Sequence, residues 1–346
     1  MAARKSDCIR GVLFKSKERF RAFEKKLNEY NIEFKIMDFE CNDWLDFDYA
    51  TTDILIYYPS FKFSSNHPLA LSEVYDNLSF LWEMYPHLKT YPDIKLSRYY
   101  NDKYRQFLFL KSKGFPTPET MPLPSEGTLK VAGKRLGYPM VIKNRYGAGG
   151  GSVYKACSKA EVEKYYNLSQ LDLFKWSSVR ELGRSLSQRM FYYHLIREKK
   201  APYPFLSPPL LAQKFVSIDR DLKTVVYGDK VVEAHWRLQA GKGMWKMNID
   251  GGGKGVWSRV PEAALALSLD LAKALKATWL NIDMIMSQGT FLITEFSPVW
   301  HHYAYKEKPS FVYKDDYNIS VPLELSLDLE EMIVASLVDA VRGNRE

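Results

Sequence analysis

Residues 281–298 read Asn-Ile-Asp-Met-Ile-Met-Ser-Gln-Gly-Thr-Phe-Leu-Ile-Thr-Glu-Phe-Ser-Pro. Two apolar runs flank a Gly-containing turn, which is the pattern of a β-hairpin. Each run carries one carboxylate where a buried strand ordinarily carries none: Asp283 on the first, Glu295 on the second. A three-residue loop, Gln288-Gly289-Thr290, pairs Ser287 with Phe291 and therefore Asp283 with Glu295. Residues paired across an antiparallel hairpin share a face. Ser297 joins that face, because strand side chains alternate with period two. Two carboxylates and a hydroxyl are hard oxygen ligands, suited to Mg²⁺ beside a bound phosphate. A two-residue loop would instead set Glu295 on the face opposite Asp283. The plain alternative is a solvent-exposed hairpin with two ordinary charges.

Working outward, length and composition bound the answer. A chain of 346 residues implies two or three domains. The 46% hydrophobic and 26% charged content is that of a globular protein. The net charge of +8 suits an anionic ligand without naming one. There is no concentrated Lys/Arg run, zinc-finger or RNA-binding signature, so nucleic acid is not expected as a partner. The start, MAARKSDCIRGVLF, lacks a signal-peptide core, and no apolar run approaches a membrane span. Cys8, Cys41 and Cys157 are too widely spaced for a zinc site or a disulfide framework, which points to a reducing cytoplasm.

Upstream, residues 8–14, 33–39 and 53–58 read as strands, and 15–30 and 69–85 as helices. Their alternation predicts a small open α/β sheet over residues 1–96, without a Gly-rich dinucleotide fingerprint. Asn101 opens a helix through Lys103 that stops at Gly114, with Pro116 and Pro118 beyond it. A helix over 125–136 precedes the strand Tyr-Pro-Met-Val-Ile-Lys, ending at Lys143. Then comes Asn144-Arg145-Tyr146-Gly147-Ala148-Gly149-Gly150-Gly151-Ser152, leading into a strand at 153–156. Glycines between two strands match neither a P-loop nor a dinucleotide motif. They do let backbone N–H groups approach a polyphosphate closely, and Lys143 stands beside them. A flexible hairpin with a surface lysine would look the same. Ser158 with Glu161 is a capping box for the next helix. Residues 165–208 read as an insertion with arginines on a solvated helix face. Next come a strand at 210–216, a hairpin from Asp221 to Arg237 turning at Gly228-Asp229, and a Gly-rich loop from 241 to 255. An apolar helix runs from Pro261 to about Ala277, and Asp328 with Glu331 starts a closing helix.

In this order the features resemble the ATP-grasp superfamily, and within it the ribosomal-protein glutamate ligase and glutathione synthetase branch. Asn-Asp-Lys-Tyr-Arg at 101–105 followed by Gly-Phe-Pro-Thr-Pro at 114–118 resembles the family's Asp-Lys helix and its exit. Val-Ile-Lys at 141–143 with the glycines resembles its phosphate lid, Gln213–Val216 its adenine hinge, and Asp221-Leu-Lys223 with Arg237 its next hairpin. Lys-Met-Asn at 246–248 resembles its Arg-Ser-Asn segment, and Asp283, Glu295 and Ser297 its metal set.

The resemblance implies an N-terminal α/β domain (1–96), a small ATP-grasp subdomain with the lid and the insertion (97–212), and a large one with the metal site (213–346). It implies that Lys103, Lys143 and the loop of Gly147, Gly149, Gly150, Gly151 and Ser152 hold the ATP phosphates. Gln213, Lys214, Phe215 and Val216 would read the adenine, and Asp221 the ribose. Asp283, Glu295 and Ser297 would bind one or two Mg²⁺ ions. Lys223, Arg237 and Asn248 would face the transferred phosphate and the acyl group. The implied activity is ATP-dependent joining of a small-molecule or peptide carboxylate to an amine through an acylphosphate. Two other readings are a kinase, since inositol phosphate kinases share the fold, and a nucleotide-binding module without catalysis. The oligomeric state is open, a homodimer included. The chain departs from the family at Lys214, where an acidic residue is common, and at Ser297, where Asn is usual. A regular two-residue hairpin at Gly228-Asp229 would put Lys223 and Arg237 on opposite faces. A bulge would reunite them; failing one, Arg237 is the residue expected at the chemistry. His301 and His302 are expected either at the substrate or in a purely structural place.

Overall fold

The computed structural model describes residues 8–16, 19–39, 41, 43–58, 71–100, 102–146, 153–170, 210–239, 241, 245–247, 253–256, 258–299 and 328–343. These divide into two compact units: one holds the described residues up to Arg98 together with those from 328 onward, the other those between.

In the first unit, β1 (Arg10–Phe14), β2 (Glu33–Met37), β3 (Ile54–Ile56) and β4 (Lys89–Tyr91) form a parallel sheet in the order β2-β1-β3-β4. Parallel neighbours need crossover connections. The helices α1 (Phe20–Glu29) and α2 (Leu71–Met84) supply two of them, and α3 (Ile94–Ser97) follows β4. The continuous apolar runs of β1 and β3 are buried as a sheet covered on both faces requires. Around them pack Phe14, Phe39, Trp44, Tyr49 and Tyr57, with the Phe14 and Phe39 rings stacked at 4.0 Å. The aromatics of this region therefore serve the core.

The closing helix, expected with the large subdomain, belongs to this unit. It is numbered α8 here (Leu329–Arg342) and packs against α1, β3 and β4. Asp328 caps it through the Glu331 amide at 3.0 Å. Its stripe of Ile333, Val334, Leu337, Val338 and Val341 is buried. Charge fixes the register: Lys26 Nζ lies 2.9 Å from both Asp328 and Glu331, Arg19 2.5 Å from Glu330, and Tyr30 donates to Glu331 at 2.6 Å. These partners lie some three hundred residues away in sequence, so no local pattern announces them.

The second unit holds two antiparallel sheets. The smaller has the order β5-β8-β6-β7, from β5 (Thr120–Pro122), β6 (Met140–Asn144), β7 (Val153–Ala156) and β8 (Leu210–Lys214). Helices α5 (Glu126–Leu136) and α6 (Lys159–Gln170) cover one face, where Leu129, Ala132, Leu136, Val162 and Tyr166 meet Met140, Ile142, Ala156, Leu210 and Ala212. Period two then sends Val141, Lys143 and Gln213 to the other face. The expected cap of α6 is present, with the Glu161 amide donating to Ser158 at 3.3 Å. Helix α4 (Lys103–Ser112) precedes β5.

The larger sheet has the order β11-β10-β9-β12-β13. Its strands are β9 (Arg220–Tyr227), β10 (Lys230–Leu238), β11 (Lys254–Val256), β12 (Trp279–Ser287) and β13 (Thr290–Ser297). Helix α7 (Glu262–Leu275) packs on one face and seals it with a Thr224–Ser268 hydroxyl pair at 2.8 Å.

Two hairpins differ from the regular readings. The β12–β13 loop has two residues, not three: Ser287 pairs with Thr290 around Gln288 (φ 49°) and Gly289 (φ 80°). Positive φ at both central positions is the turn whose twist matches the flanking strands. Asp283 nevertheless pairs with Glu295, because Thr294 is an extra residue between the Met284–Ile293 and Asp283–Glu295 pairs. A β-bulge restores the facing that the loop length alone would have destroyed. In the β9–β10 hairpin the expected turn, with Tyr227 opposite Lys230, is followed by a register shift between Val231 and Glu233. His235 thus pairs with Lys223, and Arg237 with Asp221, so Lys223 and Arg237 share a face. The preference for Arg237 alone is overturned by that bulge.

Candidate functional site

The face of the large sheet opposite α7 carries Asp221 and Lys223 on β9, Arg237, His235 and Glu233 on β10, Asn281 and Asp283 on β12, and Glu295 and Ser297 on β13. Asp283 is the hub. Its Oδ2 lies 3.1 Å from Arg237 Nη2 and its Oδ1 3.6 Å from Lys223 Nζ. Arg237 in turn grips Asp221 with both arms, Nε to Oδ1 at 2.6 Å and Nη2 to Oδ2 at 2.9 Å. Burial raises the Asp221 pKa more than Arg237 can lower it. At Asp283 burial also pushes upward, but the cations Arg237 and Lys223 outweigh it and hold the carboxyl below the usual range. Arg237, between two carboxylates, is held well above the ordinary guanidinium value although burial opposes this. A buried charge without a partner costs several kcal/mol, about 3–5 when one member of a pair is removed. This row of alternating signs therefore stands or falls together.

Beside the pair Asp283–Glu295 lies a second cationic group. Lys143 is buried, donates to Gln213 Oε1 at 3.1 Å, and Gln213 donates to Thr120 Oγ1 at 2.8 Å. Burial, with repulsion from Lys103, pulls the Lys143 ammonium down to about 8 from 10.5, against the attraction of Glu295. Lys103, also buried, stands 3.9 Å from Glu295 Oε1. Lys103 stands against Glu295, and Lys143, from an element far away in sequence, is near enough to feel both charges.

The start of α4 explains how Lys103 is placed. Asp102 caps the helix through the Arg105 amide at 3.0 Å and receives both arms of Arg145, at 2.7 and 2.6 Å. Lys103 N donates to Arg145 O at 3.1 Å, which ties the end of β6 to the helix. Gln106 accepts from the Phe296 amide at 3.2 Å and thereby fixes the helix beside Glu295. None of these ties was read from the sequence. The sequence reading gave the start of this helix to Asn101, whereas Asp102 is the residue that caps it, and Arg145 and Gln106 carry no local signal.

Of the expected hinge, the Gln213 side chain serves Lys143, Lys214 is exposed with its amide on Glu119 O at 2.8 Å, and Phe215 packs between the Lys155 ammonium (4.2 Å) and the Trp245 ring (6.0 Å). Val216 follows the end of β8 and is half-buried. The Ser297 hydroxyl is engaged with the amide and carbonyl of Val299, both at 3.2 Å. Gly147, Gly149, Gly150, Gly151, Ser152, Asn248, His301 and His302 lie outside the described residues. Two groups escaped the sequence reading although period two could have found them. Glu233 and His235 are buried on the Arg237 row, with Glu233 Oε1 3.3 Å from His235 Nδ1, and Asn281 is buried two residues before Asp283. Among the described residues no three His, Cys, Asp or Glu side chains converge as a metal cage. The carboxylate pair has the hard oxygens Mg²⁺ takes, and Asp283 Oδ1 accepts no hydrogen bond. A pair of protein ligands is the ordinary complement for Mg²⁺ when substrate phosphates and waters fill the rest.

No family model matches the chain. Over 200 residues it is 27% identical to human N-acetylaspartylglutamate synthase A and 28% identical to human beta-citrylglutamate synthase B. Each match covers 56% of this chain and 42% of the relative, so the chain spans less than half the length of those curated relatives. The structure of an ATP-grasp ligase, PsnB, complexed with minimal precursor, Mg and ADP, superposes with a TM-score of 0.53 at 11% identity. That likeness covers 96% of this chain and 98% of the other. A parallel N-terminal sheet followed by two antiparallel sheets, with a carboxylate pair facing buried lysines, defines an ATP-grasp fold. The chain has the ATP-grasp fold and, over those 200 residues, is similar to the two synthases.

Proposed function

We propose that the chain is an ATP-dependent carboxylate–amine ligase working through an acylphosphate. The observation that carries this reading is the ion pair of buried Lys103 with Glu295, with buried Lys143 in electrostatic reach of both, and the cross-strand partner Asp283 facing Lys223 and Arg237. Phosphoryl transfer needs positioning and charge neutralisation rather than covalent help, and this row supplies both. In this reading Lys103 and Lys143 would meet the ATP phosphates, the glycine-rich stretch 147–152 is assigned to the same phosphates, and the backbone of Gln213–Val216 would read the adenine. Asp283 and Glu295 would hold Mg²⁺, which would supply charge neutralisation for the transferring phosphoryl group. We assign Asp221 to fixing Arg237 rather than to the ribose, because both its oxygens are already taken.

In the first step a substrate carboxylate oxygen attacks the γ-phosphorus and ADP leaves. In the second an amine attacks the acyl carbon, loses a proton, and phosphate leaves. Arg237 and Lys223 would stabilise the oxyanion, and Asn248 is assigned the same role. The names of both curated relatives describe glutamate conjugates, so glutamate is the first amine to test.

Incubation with ATP, Mg²⁺, glutamate and a panel of carboxylates, citrate and N-acetylaspartate included, tests the reading by mass spectrometry. An amide formed together with ADP and phosphate supports it. ADP with a phosphorylated product would make the chain a kinase, and no acid-dependent turnover would leave a binding module. Cytoplasmic residence is part of the same proposal; among the described residues no helix is long and apolar enough to cross a membrane.

A further inference from the structure

We infer that the third protein oxygen at the metal site is the side-chain carbonyl of Asn281, not the hydroxyl of Ser297. The inference rests on the Mg²⁺ reading of Asp283 and Glu295 and adds a ligand to it.

Asn281 and Ser297 are cross-strand partners on β12 and β13, one pairing step from Asp283 and Glu295. Period two puts all four on one face. The two oxygens differ in what they already do. Ser297 Oγ accepts from the Val299 amide and donates to the Val299 carbonyl, so its lone proton and one lone pair are spent on its own turn. A hydroxyl committed in this way must break a local turn to ligate a cation.

Asn281 is in the opposite condition. It is 4% exposed, and its Nδ2 donates to Val299 O at 2.9 Å. A carbonyl can only accept, so that contact fixes which end of the amide is nitrogen. The other end, Oδ1, is then an acceptor by necessity, and it is buried with no hydrogen-bond partner. Burying an amide oxygen without a donor is costly, and native structures rarely leave one so. The carboxylate two residues on repeats the condition, since Asp283 Oδ1 is also buried without a hydrogen bond. The unpartnered Asn281 oxygen and the Asp283 carboxylate, whose Oδ1 has Lys223 Nζ at 3.6 Å but no hydrogen bond, share one strand face with the Glu295 carboxylate across the ladder, and such a set matches the oxygen preference of Mg²⁺. The Nδ2–Val299 bond leaves Oδ1 as the end of the amide that is available to accept.

Mn²⁺ stands in for Mg²⁺ as a spectroscopic probe. Free Mn²⁺ is titrated by electron paramagnetic resonance against the full chain with saturating non-hydrolysable ATP analogue (the β,γ-imido triphosphate). Wild type should bind Mn²⁺ in an analogue-dependent way, and Glu295→Gln should lose that binding. Asn281→Ala should weaken it roughly ten-fold, by analogy with the loss of a supporting group at other metal sites. Ser297→Ala should leave it within two-fold. The exchange Asn281→Ser with Ser297→Asn, which moves the amide oxygen to the facing strand, should recover most of the affinity. Circular dichroism and analogue binding without metal check that each variant is folded. Unchanged Mn²⁺ affinity in folded Asn281→Ala, or a loss confined to Ser297→Ala, overturns the inference and leaves the carboxylate pair standing. Wild type without analogue-dependent Mn²⁺ binding overturns both.

Discussion

Lys143→Met tests the electrostatics of the cationic group most sharply. The ammonium is buried at 6% exposure, and its pKa falls from 10.5 to about 8. At ~1.4 kcal/mol per decade, that gap means the charge destabilises the fold by about 3 kcal/mol at pH 7. The unfolded chain keeps the proton up to about 10.5 and the folded chain releases it near 8. Between those values the unfolded state binds more protons, so this group makes stability rise with pH. Methionine removes the charge penalty but leaves Gln213 Oε1 without its donor, a loss of about 1–3 kcal/mol. The ligand-free variant should therefore match or exceed wild type by up to about 2 kcal/mol at pH 7. By pH 10 wild type should have recovered about 2–3 kcal/mol relative to the variant, which then becomes the less stable of the two. Urea unfolding of both proteins at several pH values reads this difference, in which the titrations of groups not coupled to Lys143 cancel. A stability difference that stays constant from pH 7 to pH 10 would refute the reasoning, as would nucleotide binding unaffected by the substitution.

Other substitutions probe the row around Asp283. Arg237→Met strands Asp221 and Asp283 and should cost about 3–5 kcal/mol in denaturant unfolding, whereas Asp221→Asn with Arg237 intact should cost less. Asp283, whose carboxyl is held below the usual 3.8, contributes stability that is present above that value and lost as pH falls through the lowered one. Acid unfolding of Asp283→Asn should accordingly show a shallower pH dependence below pH 4 than wild type. Gly289→Val forces a β-branched residue into φ 80° and should lower stability by about 1–3 kcal/mol, read as a drop in thermal midpoint, without abolishing nucleotide binding.

The sequence carried most of the elements and little of what aligns them. Within the stretches 8–14, 33–39 and 53–58 the strands Arg10–Phe14 and Ile54–Ile56 show as continuous apolar runs and Glu33–Met37 as an alternating one, and Leu129, Ala132 and Leu136 form a helix face that periodicity displays. Asp283 and Glu295 stood out because a carboxylate inside an apolar strand is conspicuous. Their pairing was reached for the wrong reason. The Gln288-Gly289 turn is the favoured two-residue one, and the facing survives only through the bulge at Thr294. A bulge adds one residue to a ladder without changing its composition, so no residue type signals it. The same holds at Val232, on which the shared face of Lys223 and Arg237 depends.

Long-range ties were equally silent. Lys103 was singled out by its place in a helix start, but what aims it is Arg145 on Asp102 and Gln106 on the Phe296 amide. The docking of α8 on α1 rests on Lys26, Tyr30 and Arg19, which read as ordinary surface residues of an amphipathic helix. Asn281 was passed over although period two sets it on the face of Asp283; what singles it out in the structure is the burial of its oxygen without a hydrogen bond.

The central claim is that Lys103, Lys143, Asp283 and Glu295 form one site for Mg²⁺-bound nucleotide. Isothermal titration of ADP into wild type and Glu295→Gln, each with Mg²⁺ and with chelator, tests it most directly. Wild type should bind ADP at least about ten-fold more tightly with Mg²⁺ than with chelator, and Glu295→Gln should be folded yet lose that dependence. Equal ADP affinity with and without Mg²⁺ in wild type, or an undiminished Mg²⁺ effect in Glu295→Gln, would contradict the account.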